Sequence, residues 1–283
     1  MGIHTMENTF DLHQPLRKAA FAVFDVETTG LSPAYGHRVC EVGCLLIQGG
    51  EELGRFESLV DPQRPISPGA FRVNRITPEM LDGAPTFDAI AASLLQVMDG
   101  AVLVAHNAPF DLGFLAAELD IARLPLPQTP VVDTLALVRR AYSFARNSLP
   151  AVADALAVDV SQAHRAMGDV QTTCRVLERL LWDLECHRRI TTLSQLLEFQ
   201  GGSVPYPHSP VLSLPPSIAE AIASTGRVRM RYVDATGRET ERVVSPLRVR
   251  AGQGNLYLVA HCYRRDALRT FRLDRVLDMV PEA

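Results

Sequence analysis

Two carboxylates stand two residues apart at the end of an apolar run, in Phe21-Ala22-Val23-Phe24-Asp25-Val26-Glu27-Thr28-Thr29-Gly30. The run from Ala19 to Phe24 has the composition of a strand buried on both faces. Side chains alternate along a strand with period two, so Asp25 and Glu27 point to the same side. Like charges at that separation repel, and each carboxyl then tends to keep its proton. A divalent cation removes the conflict, and an all-oxygen donor set suits a hard ion such as Mg2+ or Mn2+. The Thr28-Thr29-Gly30 exit lets the backbone come close to a ligand. Asp-x-Glu alone also describes an ordinary strand end with solvated acids, so the chemistry depends on further partners.

Two other stretches supply such partners. The short apolar run Ala101–Ala105 leads into His106-Asn107-Ala108-Pro109-Phe110-Asp111. Asn107 reads as a helix cap and Asp111 as an acid of the first turn, where the helix dipole favours negative charge. That position also brings Asp111 towards Asp25 and Glu27, because strand ends in an α/β sheet converge on one crevice. Phe110 suits either a core or a stack on a base. The second stretch is Ala163-His164-Arg165-Ala166-Met167-Gly168-Asp169. Positions five apart on a regular helix differ by about 140°. His164 and Asp169 therefore meet only if His164 precedes the helix, on a loop through Ser161-Gln162-Ala163, with Asp169 in its first turns. A lone histidine equally suits a hydrogen-bonded structural role.

The elements that must position these groups follow from periodicity. Residues 1–18 read as a loose tail. Strands are expected at Ala19–Glu27, Arg38–Gln48 and Gly54–Val60, with Gly49-Gly50 closing a hairpin. Residues 61–86 read as a long irregular stretch rich in proline. Helical spacing marks Phe87–Met98, Asp111–Ala122, Thr134–Tyr142, Leu149–Ala157, Asp169–Glu185 and Thr191–Phe199, with short strands at Ala101–Ala105 and Val131-Val132. An antiparallel start followed by strand–helix alternation gives a mixed sheet flanked by helices. The stretch from Gln200 to Pro210, built on glycine and proline, reads as a linker. Beyond it a short helix is expected at Pro216–Ala223. Strands are then expected at Arg227–Val233, Glu241–Arg250, Asn255–Cys262 and Leu268–Leu273, in a small curled sheet or barrel.

The composition, 47% hydrophobic and 21% charged over 283 residues, is that of a soluble globular chain. No apolar run approaches the roughly 20 residues of a membrane span. Met1–Arg17 lacks the apolar core of a signal peptide. Five cysteines with no CxxC pair point to reduced thiols and a cytoplasmic location. Between Ser213 and Ala283 there are 12 Arg, no Lys and 8 acids, a net +4 against −8 for the remainder. Guanidinium without ammonium suits anion recognition, and equally a solvated basic face.

In order and spacing, Asp25-x-Glu27, His-Asn-x-x-Phe-Asp ending at Asp111, and His164-x-x-x-x-Asp169 resemble the DEDDh group of DnaQ-like 3′–5′ exonucleases. The resemblance covers roughly residues 19–186. It extends to Asn74-Arg75-Ile76-Thr77-Pro78-Glu79-Met80, Asp133-Thr134-Leu135 and Ser148-Leu149, with Arg75 standing where the family usually has glycine. It implies an RNase H-like fold and release of nucleoside 5′-monophosphates from a 3′ end, in single-stranded DNA above RNA. It also implies two divalent ions, Mg2+ or Mn2+. Asp25, Glu27 and Asp169 would hold the first ion, with Asp25 bridging to a second that Asp111 serves. His164 would take the proton of the attacking water, so activity should rise as its imidazole becomes neutral. Thr28, Leu31, Asn107 and Phe110 would lie beside the terminal nucleotide.

The C-terminal part is similar to WYL domains, small SH3/Sm-like barrels. The matching residues are Arg242-Val243-Val244-Ser245-Pro246-Leu247, Leu256-Tyr257-Leu258-Val259-Ala260-His261-Cys262 and Arg269-Thr270-Phe271-Arg272-Leu273-Asp274-Arg275. Leu256 replaces the tryptophan of that motif. The resemblance implies binding of nucleic acid or a nucleotide effector by Arg242, Arg248, Tyr257, His261, Arg269 and Arg272. Some of these arginines equally suit salt bridges to Asp274, Glu239 and Glu241. The expected organisation is a tail at 1–18, a nuclease domain at 19–189, a helix and linker at 190–212 and a WYL-like domain at 213–283. Gln195-Leu196-Leu197-Glu198-Phe199 faintly resembles a sliding-clamp-binding peptide, but its leucines are better explained as the apolar face of a helix. No feature indicates a polymerase partner directly. The alternative reading is a regulatory binding protein that uses the nuclease fold as a scaffold.

Overall fold

The computed structural model describes residues 10–160, 164–207, 223, 226–234, 236–252 and 255–282. The Ser161–Ala163 loop and, but for Ala223, the expected helix at 216–223 lie outside them. The central strand of the first sheet is β1 (Ala20–Thr28). β2 (Val39–Gln48) pairs with it antiparallel, and Gly49-Gly50 turns the chain into β3 (Glu51–Leu59). On the other side β4 (Val102–Ala105) runs parallel to β1, and β5 (Val131–Asp133) runs parallel to β4. The order is β3-β2-β1-β4-β5.

Seven helices accompany this sheet among the described residues: α1 (Pro68–Asn74), α2 (Phe87–Met98), α3 (Ala108–Ile121), α4 (Thr134–Ala141), α5 (Leu149–Ala155), α6 (Ala166–Arg188) and α7 (Leu193–Gln200). Alternate residues of β1 feed two cores. Phe21 and Val23 pack with Val102, Val104 and, from α6, Val170 and Leu177. Ala22, Phe24 and Val26 pack with Phe87 and Leu94 of α2 and Leu112 and Leu115 of α3. Asp25 and Glu27 continue the odd-numbered row, so the period-two rule directs them to the α6 side.

Three expectations change. The irregular stretch at 61–86 contains α1 and a 3-10 turn at Pro78–Leu81. Pro68 sits at the first position of α1, where its missing N–H costs nothing, and the Ser67 hydroxyl accepts the Ala70 N–H at 3.3 Å. A helix of two turns leaves too few apolar repeats to show as periodicity. α3 likewise begins at Ala108 rather than Asp111, with Pro109 in its first turn. The end of the expected tail joins the fold. Leu16 is buried in the core, and its N–H donates to the Thr191 carbonyl at 2.9 Å. Leu193, Leu196 and Leu197 of α7 are buried in the same core, as a helix face requires. The Gln200 side chain extends that packing to β5, accepting the Asp133 N–H at 2.7 Å.

The second sheet is wholly antiparallel. β6 (Val228–Val233), β7 (Glu239–Gly252), β8 (Asn255–Cys262) and β9 (Ala267–Arg272) form a meander. A 3-10 turn at Leu273–Arg275 then carries the chain back across it to a fifth strand not singled out in the sequence, β10 (Val276–Pro281), which pairs with β6. This return from one edge to the other is the curl that short strands and charged turns lead one to expect.

The two sheets meet beside the end of β1. Leu31 and Tyr35 pack against the core of the second sheet. Gly69 of α1 lies flat on the backbone of the 3-10 turn, where a Cβ would overlap the Asp274 carbonyl oxygen. Arg72 of α1 pairs with Glu239 at 2.7 Å, but both are partly exposed and water screens such a pair, so it adds little. Apolar contact and close backbone fit therefore hold the seam more than charge does. No helix among the described residues is long and apolar enough to cross a membrane.

Candidate active site

The end of β1 gathers the acids. One carboxylate oxygen from each of Asp25, Glu27 and Asp169 lies within 4.8 Å of the others. Asp25 and Glu27 arrive by strand alternation, and Asp169 arrives from the first turn of α6. Two residues of β2 let α6 come so near. Gly43 stands opposite Asp25, and a Cβ there would lie 2.9 Å from the Met167 backbone nitrogen. Glu41 stands opposite Glu27 and is 1% exposed. Its Oε2 accepts the Ala166 N–H at 3.0 Å, and the Arg165 Nε donates to both oxygens at 3.0 and 3.1 Å. Glu41 thus caps the helix that carries Asp169. Sequence reasoning missed it, although an acid inside the apolar run Val39–Ile47 was a signal.

His164 precedes α6 by two residues in a left-handed conformation, φ 63°. Its backbone N–H donates to Asp169 Oδ2 at 3.2 Å, and the residue is exposed. The five-residue spacing closes because His164 lies off the helix. Asp111 is buried in the first turn of α3, where its Oδ1 accepts the Val26 N–H at 3.2 Å.

Burial sets the electrostatics. It raises the Asp25 carboxyl well above the usual range, and the charges of Asp111, Asp169, Glu27 and Glu41 add to it. Glu27 rises to about 8, through burial and then Asp169 and Glu41, against a hydrogen bond from Asn74. Asp169 rises to about 6 through burial, with His164 opposing. Asp111 is raised by burial and held back by backbone N–H groups, Val26 first. Crowded oxygen donors that resist ionisation are the donor set a hard divalent cation fits, because the cation favours the charged form of each acid.

The residues expected beside a terminal nucleotide divide. The Thr28 hydroxyl donates to the Gly30 carbonyl at 2.7 Å, inside the turn. Leu31 sits in the seam between the sheets. Asn107 holds the cap position of α3 but in a left-handed conformation, φ 73°, and its side chain makes no capping bond, contrary to expectation. Its N–H donates to Asp133 Oδ1 at 2.8 Å. Phe110 is half-buried against Phe114, with ring centroids 5.1 Å apart, so it joins the core on one side only.

On the second sheet, Tyr257 opposes Arg272 and Arg248 opposes Val259, while His261 lies between Ser245 and Leu268. Four of the six expected ligand residues therefore share the outward face. Arg242 and Arg269 do not. Arg242 opposes buried Met230, with its guanidinium over Phe271, and Arg269 opposes buried Ala260. Arg272 forks onto Asp274 at 3.0 and 2.6 Å. Arg250, not foreseen, lies on the outward face over Tyr257.

Comparison with known proteins accords with these shapes. A WYL-domain family model matches residues 215–281. The chain is 37% identical to DNA polymerase III PolC-type of Bacillus cereus over 175 residues, which is 62% of this chain and 12% of that protein. It is 34% identical to the 3′-5′ exonuclease DinG of Bacillus subtilis over 170 residues, 58% of this chain and 18% of that one. The chain thus spans under a fifth of the length of either relative. The structure of E. coli Exonuclease I in complex with a 5cy-dT13 oligonucleotide shares the fold at 16% identity and a TM-score of 0.54. That match covers 86% of this chain and 54% of the other, more of this chain than the first sheet and its helices supply. The exonuclease model RNase_T matches residues 22–177, more than half of the chain, and on that ground the protein belongs to the RNase T-type exonuclease family.

Proposed function

We propose that the chain is a 3′–5′ exonuclease that releases nucleoside 5′-monophosphates from single-stranded DNA or RNA. In this reading residues 19–189 do the chemistry, 190–212 connect, and 213–283 grip the strand or sense a nucleotide. The observation that carries it is the convergence of Asp25, Glu27 and Asp169 with His164 anchored on Asp169. Asp25, Glu27 and Asp169 would hold one divalent cation, and Asp111 with Asp25 a second. Such cations stabilise the attacking and leaving oxygens of a phosphodiester in line. His164 accepts the proton of the attacking water, a role worth about 10²–10⁴-fold when the base is positioned. Glu41 keeps the His164–Asp169 segment in register. The outward arginines of the second sheet hold phosphates further along the strand.

The test uses 5′-labelled single-stranded DNA and RNA with Mg2+ or Mn2+. The wild-type chain should give a ladder that shortens from the 3′ end. Asp25→Ala and Asp169→Ala should each lower the rate by at least about 10³-fold with an unchanged far-UV spectrum. Cleavage retained in either variant overturns the metal-site assignment. Binding without cleavage by the wild type favours the regulatory-scaffold reading instead.

A further inference from the structure

We infer that the C-terminal domain is a positioning element of the nuclease site, because it seats Leu31 and α1 and through them the Thr28–Gly30 turn behind Asp25 and Glu27. The inference rests on the exonuclease reading for its meaning, but not for its first readout below.

Three contacts run from the second sheet to the turn. First, Leu31 and Tyr35 follow the turn directly and pack into the WYL-domain core beside Leu256. The space left there is about 10 Å³, room for about one water. The Ser32 hydroxyl borders it, buried and without a hydrogen-bond partner among the described residues. The seam is therefore packed against the turn and is too small to be a ligand pocket.

Second, α1 is held from both sides. Gly69 rests on the Asp274 backbone, and Arg72 reaches Glu239 and, at 3.4 Å, the Gly237 carbonyl. On its other side the Ser67 N–H donates to the Thr29 carbonyl at 3.0 Å. The Asn74 side chain donates to the Thr28 carbonyl at 3.3 Å and lies near enough to Glu27 to favour its charged form. One short helix thus bonds the catalytic turn with one face and the C-terminal domain with the other.

Third, the His37 ring packs on Gly30, where a Cβ would overlap it, and sits 3.1 Å from the Thr29 hydroxyl. Around that ring stand Arg64 from its own domain and Asp274 and Arg272 from the other. If the C-terminal domain moves, Leu31, α1 and His37 lose their support together.

A domain that only grips distant phosphates predicts something else, namely that its displacement leaves the turn and a minimal substrate untouched. The experiment uses full-length Gly69→Val, which wedges the seam, and full-length Arg72→Glu, which sets two acids face to face and keeps the seam volume. The first readout is amide hydrogen exchange of residues 25–38 and 67–76, without substrate. We expect about tenfold faster exchange in Gly69→Val, a local opening, and a smaller change of the same sign in Arg72→Glu. The second is hydrolysis of the p-nitrophenyl ester of thymidine 5′-monophosphate with Mn2+, a probe of one nucleotide that offers no further phosphates to the second sheet. Its kcat/KM should fall about ten- to a hundredfold, as sub-ångström misplacement does. Unchanged exchange in both variants overturns the inference whatever the activity. Altered exchange with an unchanged ester rate also overturns it, because the seam then moves without moving the site. If the wild type hydrolyses neither ester nor strand, the exonuclease reading falls, and the exchange result still decides whether the seam holds the turn.

Discussion

At the scale of single residues, burial pulls against ionisation at Asp25, Glu27, Asp111 and Asp169. Without a cation, Asp169 titrates near 6 and Glu27 near 8, each above its unfolded value. A group whose pKa is raised on folding stabilises the fold below its unfolded pKa and loses that contribution as pH rises through the folded one. The chelated protein should therefore lose thermal stability between about pH 5 and pH 8, and Mn2+ should restore more of it at pH 8 than at pH 5. Thermal unfolding with EDTA or Mn2+ at both pH values checks this, and a cation effect equal at both would contradict it. Glu41 offers a second test. Glu41→Gln keeps the shape but weakens the hold on Arg165 and the Ala166 N–H. We expect kcat to drop about tenfold or more with KM nearly unchanged, and Glu41→Ala to cost about 1–2 kcal/mol of stability, the worth of a lost helix cap, read by steady-state kinetics and urea unfolding respectively.

At the scale of elements, legibility followed length and repetition. β1, α2 and β8 were readable because several side chains repeat one period. α1 was not, since its two turns rest on a proline start and a serine cap rather than on an apolar stripe. The site was legible wherever a strand alternates, so Asp25 and Glu27 needed no tertiary information. Glu41 and Gly43 were not, because their roles exist only once α6 lies across β2. At Arg75 residue type and backbone shape meet. It ends α1 at φ 59°, a left-handed conformation that explains why the family usually has glycine there. The loop thus keeps the shape that glycine would give and carries the strain of a side chain. Arg75→Gly should raise unfolding free energy by about 0.5–1 kcal/mol in urea titrations, since relief of strain outweighs the added freedom of the unfolded chain.

At the scale of the whole molecule, charge needs a wider frame than the C-terminal segment. Lys18 is the one lysine among 28 basic residues of the chain, so arginine without lysine marks the protein and not the WYL domain alone. What favours the proposed anion binding is instead the alignment of Arg248, Arg250 and Tyr257 on one sheet face. Arg248→Ala with Arg250→Ala in the full chain should weaken binding to a 20-nucleotide single strand and reduce the salt slope of log K by about 1.4, two phosphate contacts' worth. An unchanged slope would place the strand elsewhere. Gly43 has a consequence for how such chains are counted. It has no functional group and belongs to none of the three motifs. Yet one methyl group there would meet backbone and not a flexible side chain, and α6 would stand off with its Asp169. A gene copy with that change keeps all five diagnostic letters and passes any motif survey as intact, while the helix that carries Asp169 has been pushed off its seat by tenths of an ångström.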